Sequence, residues 1–375
     1  MHNEGDKIAD IKTHLRELSV AVGAGSIIKG EYHLDIIPDS ESFFEECEEY
    51  VEGNLISARN ILDVDIRSGE YSSIVRNGLK MANAICEEFS FLPDDKIVWV
   101  GDDTQKDDPV DLVIGKYGFS LKEDSYILEN MGLYKYLTLM TGKQFERGLH
   151  VFKTFSPDEY EEWFLYSFER MIKSKDWKYN KGNYYSAIIH HDNYVEFDYN
   201  NEEISRIPVN IKNINQFNNY TTSKTREKVF SKWIKEFLEC DQQYLYLKKK
   251  CSIKAGEAIC NFVNSNMNKE NIARLLQIRK HHYYYAKSTS SETTIYYVPG
   301  LDEFIDSYVV EPVRFEVPNS QLNIITEIKN KENGKSIVMR NECRFSHGQL
   351  NGTPEAKMYY TSGSNLESIY KKIYP

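Results

Sequence analysis

The apolar pattern changes period twice between Phe91 and Ser125, and no other feature limits the accessible folds as strongly. Up to Phe91 apolar residues recur at helical spacing. Ile8, Ile11, Leu15 and Leu18 predict a helix over residues 6–22 that Gly23 and Gly25 end. An acidic helix over residues 40–53 follows, with Ser40 as its cap. A long helix over residues 69–91 then runs through Ile74, Leu79, Met81, Ala84 and Ile85. Past Pro93 the runs 96–101, 111–114 and 119–122 are short and β-rich, and the last two are joined by Gly115-Lys-Tyr-Gly118 as a hairpin. Helical periodicity returns over residues 125–140 until Gly142, and residues 150–155 are expected to form a further strand. The order helix, three strands, helix, strand predicts an α/β fold with a mixed sheet.

The remainder reads as additional helical and β-rich regions. Residues 156–173 are helical and 177–214 alternate as strands do. Residues 221–280 hold three helical stretches, at 224–238, 251–266 and 268–280. Short strands fill 294–360, and a helix over 365–372 closes the chain. A hydrophobic fraction of 41% with 13% aromatics supplies packed cores, which excludes wholesale disorder. The opening residues lack the apolar segment of a signal peptide, and no run approaches the ~18 apolar residues of a spanning helix. The six cysteines include no CxxC pair, so neither a zinc ribbon nor a disulfide framework is expected. A cytoplasmic protein with free thiols and no membrane partner is the expectation.

The net charge of −11 argues at first against a polyanionic partner, but its distribution does not. Residues 31–70 carry 12 acidic and 2 basic side chains, a balance of −10. Residues 221–290 carry 14 basic and 6 acidic ones, a balance of +8. A basic lobe of this kind can neutralise phosphates and release counterions; a solvated helical surface is the alternative. The run Lys280-His-His-Tyr-Tyr-Tyr285 is open to two readings, a phosphate- or base-contacting segment and a buried aromatic strand. The His190-His191 and His281-His282 pairs have no third zinc ligand at a suitable spacing, and neither a Gly-rich phosphate loop nor a GxSxG elbow is present.

Chemistry concentrates in Asp111-Leu-Val-Ile-Gly-Lys-Tyr-Gly-Phe-Ser-Leu-Lys122. If the two strands pair through the glycine turn, Asp111 and Lys122 emerge at the same end of the hairpin. Hydrolysis of a phosphodiester needs that combination. A carboxylate can hold Mg²⁺, which prefers oxygen ligands and keeps several waters. A neighbouring ammonium orients the attacking water and counters the charge of the transition state.

This pattern resembles the PD-(D/E)XK superfamily, the nuclease fold of most type II restriction endonucleases, over residues 66–155. The resemblance implies a restriction-endonuclease-like core of a helix, a three-strand meander, a helix and a further strand. It makes Asp111 the first metal ligand, Lys122 the catalytic lysine and the Leu121 carbonyl part of the metal shell. Two departures stand out: Val110 separates Pro109 from Asp111, and Ser120 occupies the place of the second acid. Some members with serine there recruit a glutamate from the following helix, which selects Glu129; Glu123, next to the lysine, should point away from it. From the preceding helix Glu70, Glu87 or Glu88 would join the site.

A second cluster, Arg340 to Asn351, suits target recognition. Arg340 and Arg344 share a strand face, followed by His347, Gln349 and Asn351 in a glycine-containing loop. Such side chains contact guanine and adenine edges in the major groove, although a polar turn has the same composition. The expected organisation is residues 1–155 as N-terminal helices with the catalytic core, and 156–375 as a basic helical and β-rich part for DNA recognition. The expected function is Mg²⁺-dependent, sequence-specific cleavage of double-stranded DNA by a homodimer, with a cognate DNA methyltransferase implied by the family. The alternatives are a non-catalytic nucleic-acid-binding protein with a decayed site and a repair or mobile-element nuclease of the same fold.

Overall fold

The computed structural model describes residues 4–31, 37–100, 109–122, 132–146, 149–190, 193–289, 292–344, 350, 355–361 and 370–375. The first helix, α1 (Glu4–Lys29), runs straight through Gly23 and Gly25, where the sequence predicts its end. Gly25 provides space: a Cβ there would stand 2.6 Å from the Tyr50 Cβ at the end of α2 (Ser40–Tyr50). Asp39, not Ser40, caps α2, its carboxylate accepting the Ser42 amide at 2.8 Å. The chain turns extended at Val51 and forms β1 (Val51–Gly53), so the predicted helix over 40–53 stops early. The next helix, α3 (Gly69–Glu88), packs along α1.

The predicted meander is present as β2 (Ile97–Trp99), β3 (Leu112–Ile114) and β4 (Tyr117–Lys122). Both pairings are antiparallel, with Trp99 opposite Leu112 and Leu112 opposite Phe119. Gly115 opens the β3–β4 turn at φ +56°, in the left-handed region where a side chain would be strained. Beyond residues 123–131, which lie outside the described set, α4 (Leu133–Thr141) ends at Gly142 as predicted.

Residues 150–155 are helical, contrary to expectation. His150 caps α5 (Val151–Phe155), its Nδ1 accepting the Lys153 amide, and Val151 and Phe152 are buried. A short apolar run carries no period that separates a buried strand from a buried helical turn, so packing decided. After α6 (Pro157–Ile172) come four antiparallel strands, β5 (Trp177–Asn180), β6 (Tyr184–His190), β7 (Tyr194–Tyr199) and β8 (Glu203–Pro208). There follow α7 (Ile214–Tyr220), a π-helical turn Thr225–Phe230 leading into α8 (Ser231–Phe237), α9 (Gln242–Asn266) and α10 (Lys269–Leu275). The long α9 starts well before the predicted residue 251, capped by Asp241, which accepts the Tyr244 amide at 2.9 Å.

The strand that continues the meander comes from much later in the chain. It is β9 (Tyr283–Ser288), parallel to β4 with Ser120 opposite Tyr285 and Lys122 opposite Lys287. Antiparallel β10 (Thr293–Val298) follows. Next are α11 (Leu301–Ser307), β11 (Tyr308–Val310), β12 (Arg314–Glu316), β13 (Leu322–Asn330), β14 (Ser336–Arg344) and β15 (Glu355–Tyr360). The strands β11 to β15 make a second antiparallel sheet. Residues 371 and 372, expected to end a helix, instead open β16 (Lys371–Tyr374), which pairs with β10; residues 362–369 lie outside the described set.

The molecule is therefore mixed α/β, with a mixed seven-stranded sheet in the order β1-β2-β3-β4-β9-β10-β16. This sheet draws strands from both sides of residue 155. Leu112, Ile114, Phe119, Leu121 and Ala286 line one face and share a core with α1, α2 and α3. Tyr283 and Tyr285 face the opposite side, in the larger core built around α6 and α9. All six cysteines are free thiols. Among the described residues no helix is long and apolar enough to cross a membrane.

Candidate active site

The β3–β4 ladder opens at Asp111, and the opening makes the site. The Asp111 amide donates to the Phe119 carbonyl at 2.8 Å, while its own carbonyl accepts from Val100 next to β2 at 3.0 Å. The Leu121 amide is left without that carbonyl and donates instead to Asp111 Oδ2 at 2.7 Å. The carboxylate thus stands in the line of the ladder, between two diverging strands. Leu121 faces the helix-side core, so alternation turns Ser120 and Lys122 to the other side. Lys122 Nζ reaches the same Oδ2 at 3.0 Å, and the fully buried Ser120 hydroxyl donates to it at 3.4 Å.

All three donors converge on Oδ2, and among the described residues none donates to Oδ1. The pair is partly solvated, with Asp111 16% and Lys122 37% exposed, so it adds little to stability. It holds opposite charges side by side at a partly solvent-accessible position.

A second, buried carboxylate feels the charges of this pair. Glu17, on α1, is 2% exposed, and its Oε2 accepts the Trp99 indole proton at 2.8 Å. Burial pushes its acidity from 4.5 up to about 7, and the negative charge of Asp111 adds to the rise. The Trp99 hydrogen bond, Lys122 and Arg16 pull the other way. Asp111 and Lys122 therefore act on Glu17 across the end of the sheet. The sequence pattern does not reveal it, because the single apolar stripe of Ile8, Ile11, Leu15 and Leu18 leaves position 17 off that stripe. The helix is in fact buried all round from Leu15 to Val22, apart from the half-buried Arg16. An acid inside an otherwise apolar stretch was the available signal.

The predicted acids of α3 are placed elsewhere. Glu70 is exposed and paired with Lys12 at 2.8 Å. Glu87 accepts from the Tyr374 hydroxyl and from Asn83. Glu88 lies at the same helix end, where Phe89 packs on Tyr117 and Tyr284 near the hairpin turn, the end opposite Asp111. Glu123, Glu129, His347, Gln349 and Asn351 lie outside the described residues. Arg340 and Arg344 share a face of β14 as expected, but the Nε atoms of both are buried without a hydrogen-bond partner, and Arg340 lies over the Tyr359 ring.

No group of three or more His, Cys, Asp or Glu side chains among the described residues could hold a metal. Mg²⁺ does not need one, since it is held through one or two carboxylates with waters completing the octahedron. Asp111 and Glu17 supply two such oxygen donors, and the donor set fits.

A cleft of about 550 Å³ lies beside the hairpin; among the described residues Arg274, Arg279, Lys280, His281 and His282 line it, with Glu270 the one acid. Val110, the residue before Asp111, forms part of its wall. Arg279 donates to the Arg274 and Ile278 carbonyls, whereas Arg274, Lys280 and His281 are exposed and make no ion pair among the described residues. The run 280–285 thus divides: its first three residues line the cleft, and Tyr283 and Tyr285 are buried in β9. No protein-family model, curated protein or solved structure matches the chain.

Proposed function

We propose that this protein is a Mg²⁺-dependent endonuclease that cleaves double-stranded DNA in the manner of restriction enzymes. The observation that carries the proposal is the convergence of the Asp111 carboxylate and the Lys122 ammonium at the fork between β3 and β4, with Glu17 beside them. The strand arrangement supports it: α3, the β2-β3-β4 meander, α4 and β9 follow the order of a restriction-endonuclease-like core. An insertion precedes the last strand.

Bound Mg²⁺ would polarise the scissile phosphate and acidify its water. Asp111 Oδ1 and the Glu17 carboxylate are the oxygens that would hold it, and the Leu121 amide and Ser120 hydroxyl fix Asp111 in place. Lys122, released from Asp111, orients the attacking water and offsets charge on the phosphate. Arg274, Lys280 and His281 in the adjoining cleft carry the DNA backbone toward the fork. A homodimer brings two such sites to the two strands, and a DNA target of this kind fits a cytoplasmic protein.

The binding-only reading draws on one observation, that Ser120 stands where a second carboxylate of the motif is expected. Cleavage of mixed phage and plasmid DNA in Mg²⁺ by the wild type and by Lys122→Ala decides between them. Discrete fragments from the wild type alone support the nuclease. Equal cutting by both moves the centre elsewhere, and salt-dependent retention of DNA without cutting favours the binding protein.

A further inference from the structure

The parallel pairing of β4 with β9 brings a second lysine to the fork. Lys287 stands directly opposite Lys122 in that ladder. Ala286 belongs to the core shared with α1, α2 and α3, as Leu121 does. Alternation therefore turns Lys287 to the same side as Ser120 and Lys122. Asp111, Lys122 and Lys287 thus follow one another along one end of the sheet, at β3, β4 and β9 in turn.

Packing alone does not select a lysine there. The strand β9 lies between β4 and β10, inside the seven-stranded sheet. Lysine is depleted in strands, and like charges at neighbouring cross-strand positions are destabilising. The surroundings of Lys287 also hold it in place. Tyr285, two residues earlier on the same face, and Thr294, opposite Lys287 on β10, are both buried. Lys287 itself is half-buried, and a lysine so placed buries its stem while its ammonium reaches the rim. The turn beyond is closed by Thr289, whose amide donates to the Glu292 carbonyl at 2.9 Å and whose hydroxyl accepts the Glu292 amide at 3.2 Å. Lys287 therefore projects from a fixed hairpin.

We infer that Lys287 is a second phosphate-binding residue of the fork, donating to a non-bridging oxygen of the scissile phosphodiester beside Lys122. Neighbouring strands lie about 4.8 Å apart, and two ammonium groups at that spacing can each donate to a different oxygen of one phosphate. Lysine suits the task as a compact charge with three donors on a flexible stem. In the free protein Lys122 holds Asp111 and Lys287 has a partner of its own, so each exchanges that contact for the phosphate. This role rests on the nuclease reading, since it needs a phosphodiester at the fork. It adds to the site a residue from beyond residue 155, so both parts of the chain hold the substrate.

Steady-state cleavage in Mg²⁺ of a duplex carrying a site mapped with the wild type tests the role. Lys287→Gln should lower kcat/KM about tenfold or more, the factor set by losing a hydrogen bond between charged groups. Lys287→Arg should recover most of that loss. A purely structural lysine would leave one further readout unmoved. With sulfur in place of either non-bridging oxygen of the scissile phosphate, one of the two diastereomers should slow the wild type in a way that Mn²⁺ does not relieve. That penalty should shrink in Lys287→Gln. Lys287→Met, which keeps the stem, carries the same test should Lys287→Gln not fold. Cleavage unchanged by loss of the ammonium, or a sulfur penalty equal in wild type and variant, overturns the role and leaves the nuclease reading standing. No cleavage of mixed phage and plasmid DNA by the wild type removes that reading, and the role of Lys287 with it.

Discussion

The Trp99 indole donates its Nε1 proton to the Glu17 carboxylate at 2.8 Å, holding an acid that is 2% exposed within the field of Asp111. Because Glu17 titrates near 7 when folded and near 4.5 otherwise, the folded protein keeps a proton that the unfolded chain releases between those values. Stability therefore falls as pH rises from about 4.5 to about 7, and the loss persists above that range. Glu17→Gln removes this dependence. In EDTA at pH 8 it should be more stable than the wild type, by up to about 3 kcal/mol, while near pH 4 the two should coincide. Denaturant unfolding across pH measures it, and parallel curves for the two proteins would refute it.

The same bond sets the direction of a second change. Trp99→Phe keeps an aromatic ring but removes the donor that stabilises the charged form of Glu17. The Glu17 titration, followed by carbon NMR of the labelled carboxyl, should move further upward. A downward move would mean that burial by the indole, not its hydrogen bond, governs the acid.

Ser120 offers a test of the metal centre that needs no DNA. Its side chain is fully buried beside Asp111, so Ser120→Asp places another carboxylate next to Asp111 and Glu17. Without a cation, like charges at that depth repel, and the variant should unfold several degrees below the wild type in EDTA. Saturating Mg²⁺ should restore most of the loss and bind more tightly than to the wild type. Calorimetry in Mg²⁺ and in EDTA reads both effects; a deficit that Mg²⁺ leaves untouched removes the fork as a metal site.

The hairpin from Asp111 to Lys122 was legible because everything that forms it is local: alternating apolar residues, a glycine at the turn, and a fixed register that brings positions 111 and 122 to one end. The partner of β4 was not. A parallel neighbour requires a crossover, and Tyr283 to Ser288 carries no mark of which strand it will join. Residues 150–155 carry the pattern of a further strand but form a helical turn, since so short a segment fits either state. Glu17 was hidden for a related reason. Its burial is created by α3 on one side and Trp99 on the other, and neither contact is written in the spacing of α1 itself.

The basic cleft makes the DNA contact measurable even if cleavage fails. Arg274 and Lys280 are exposed and make no ion pair among the described residues, so each can displace a counterion from a phosphate. The slope of log K against log salt for duplex binding should become shallower by about 0.9 for each phosphate contact removed. Arg274→Ser/Lys280→Ser should therefore lose nearly two units of slope, with weakening spread evenly over all DNA sequences. Fluorescence anisotropy over a range of salt concentrations, with EDTA replacing Mg²⁺ to suppress cutting, provides the slope. A slope unchanged by both substitutions would place the backbone path on another surface. A loss confined to one DNA sequence would instead make these residues readers of base edges, which phosphate contacts alone cannot be.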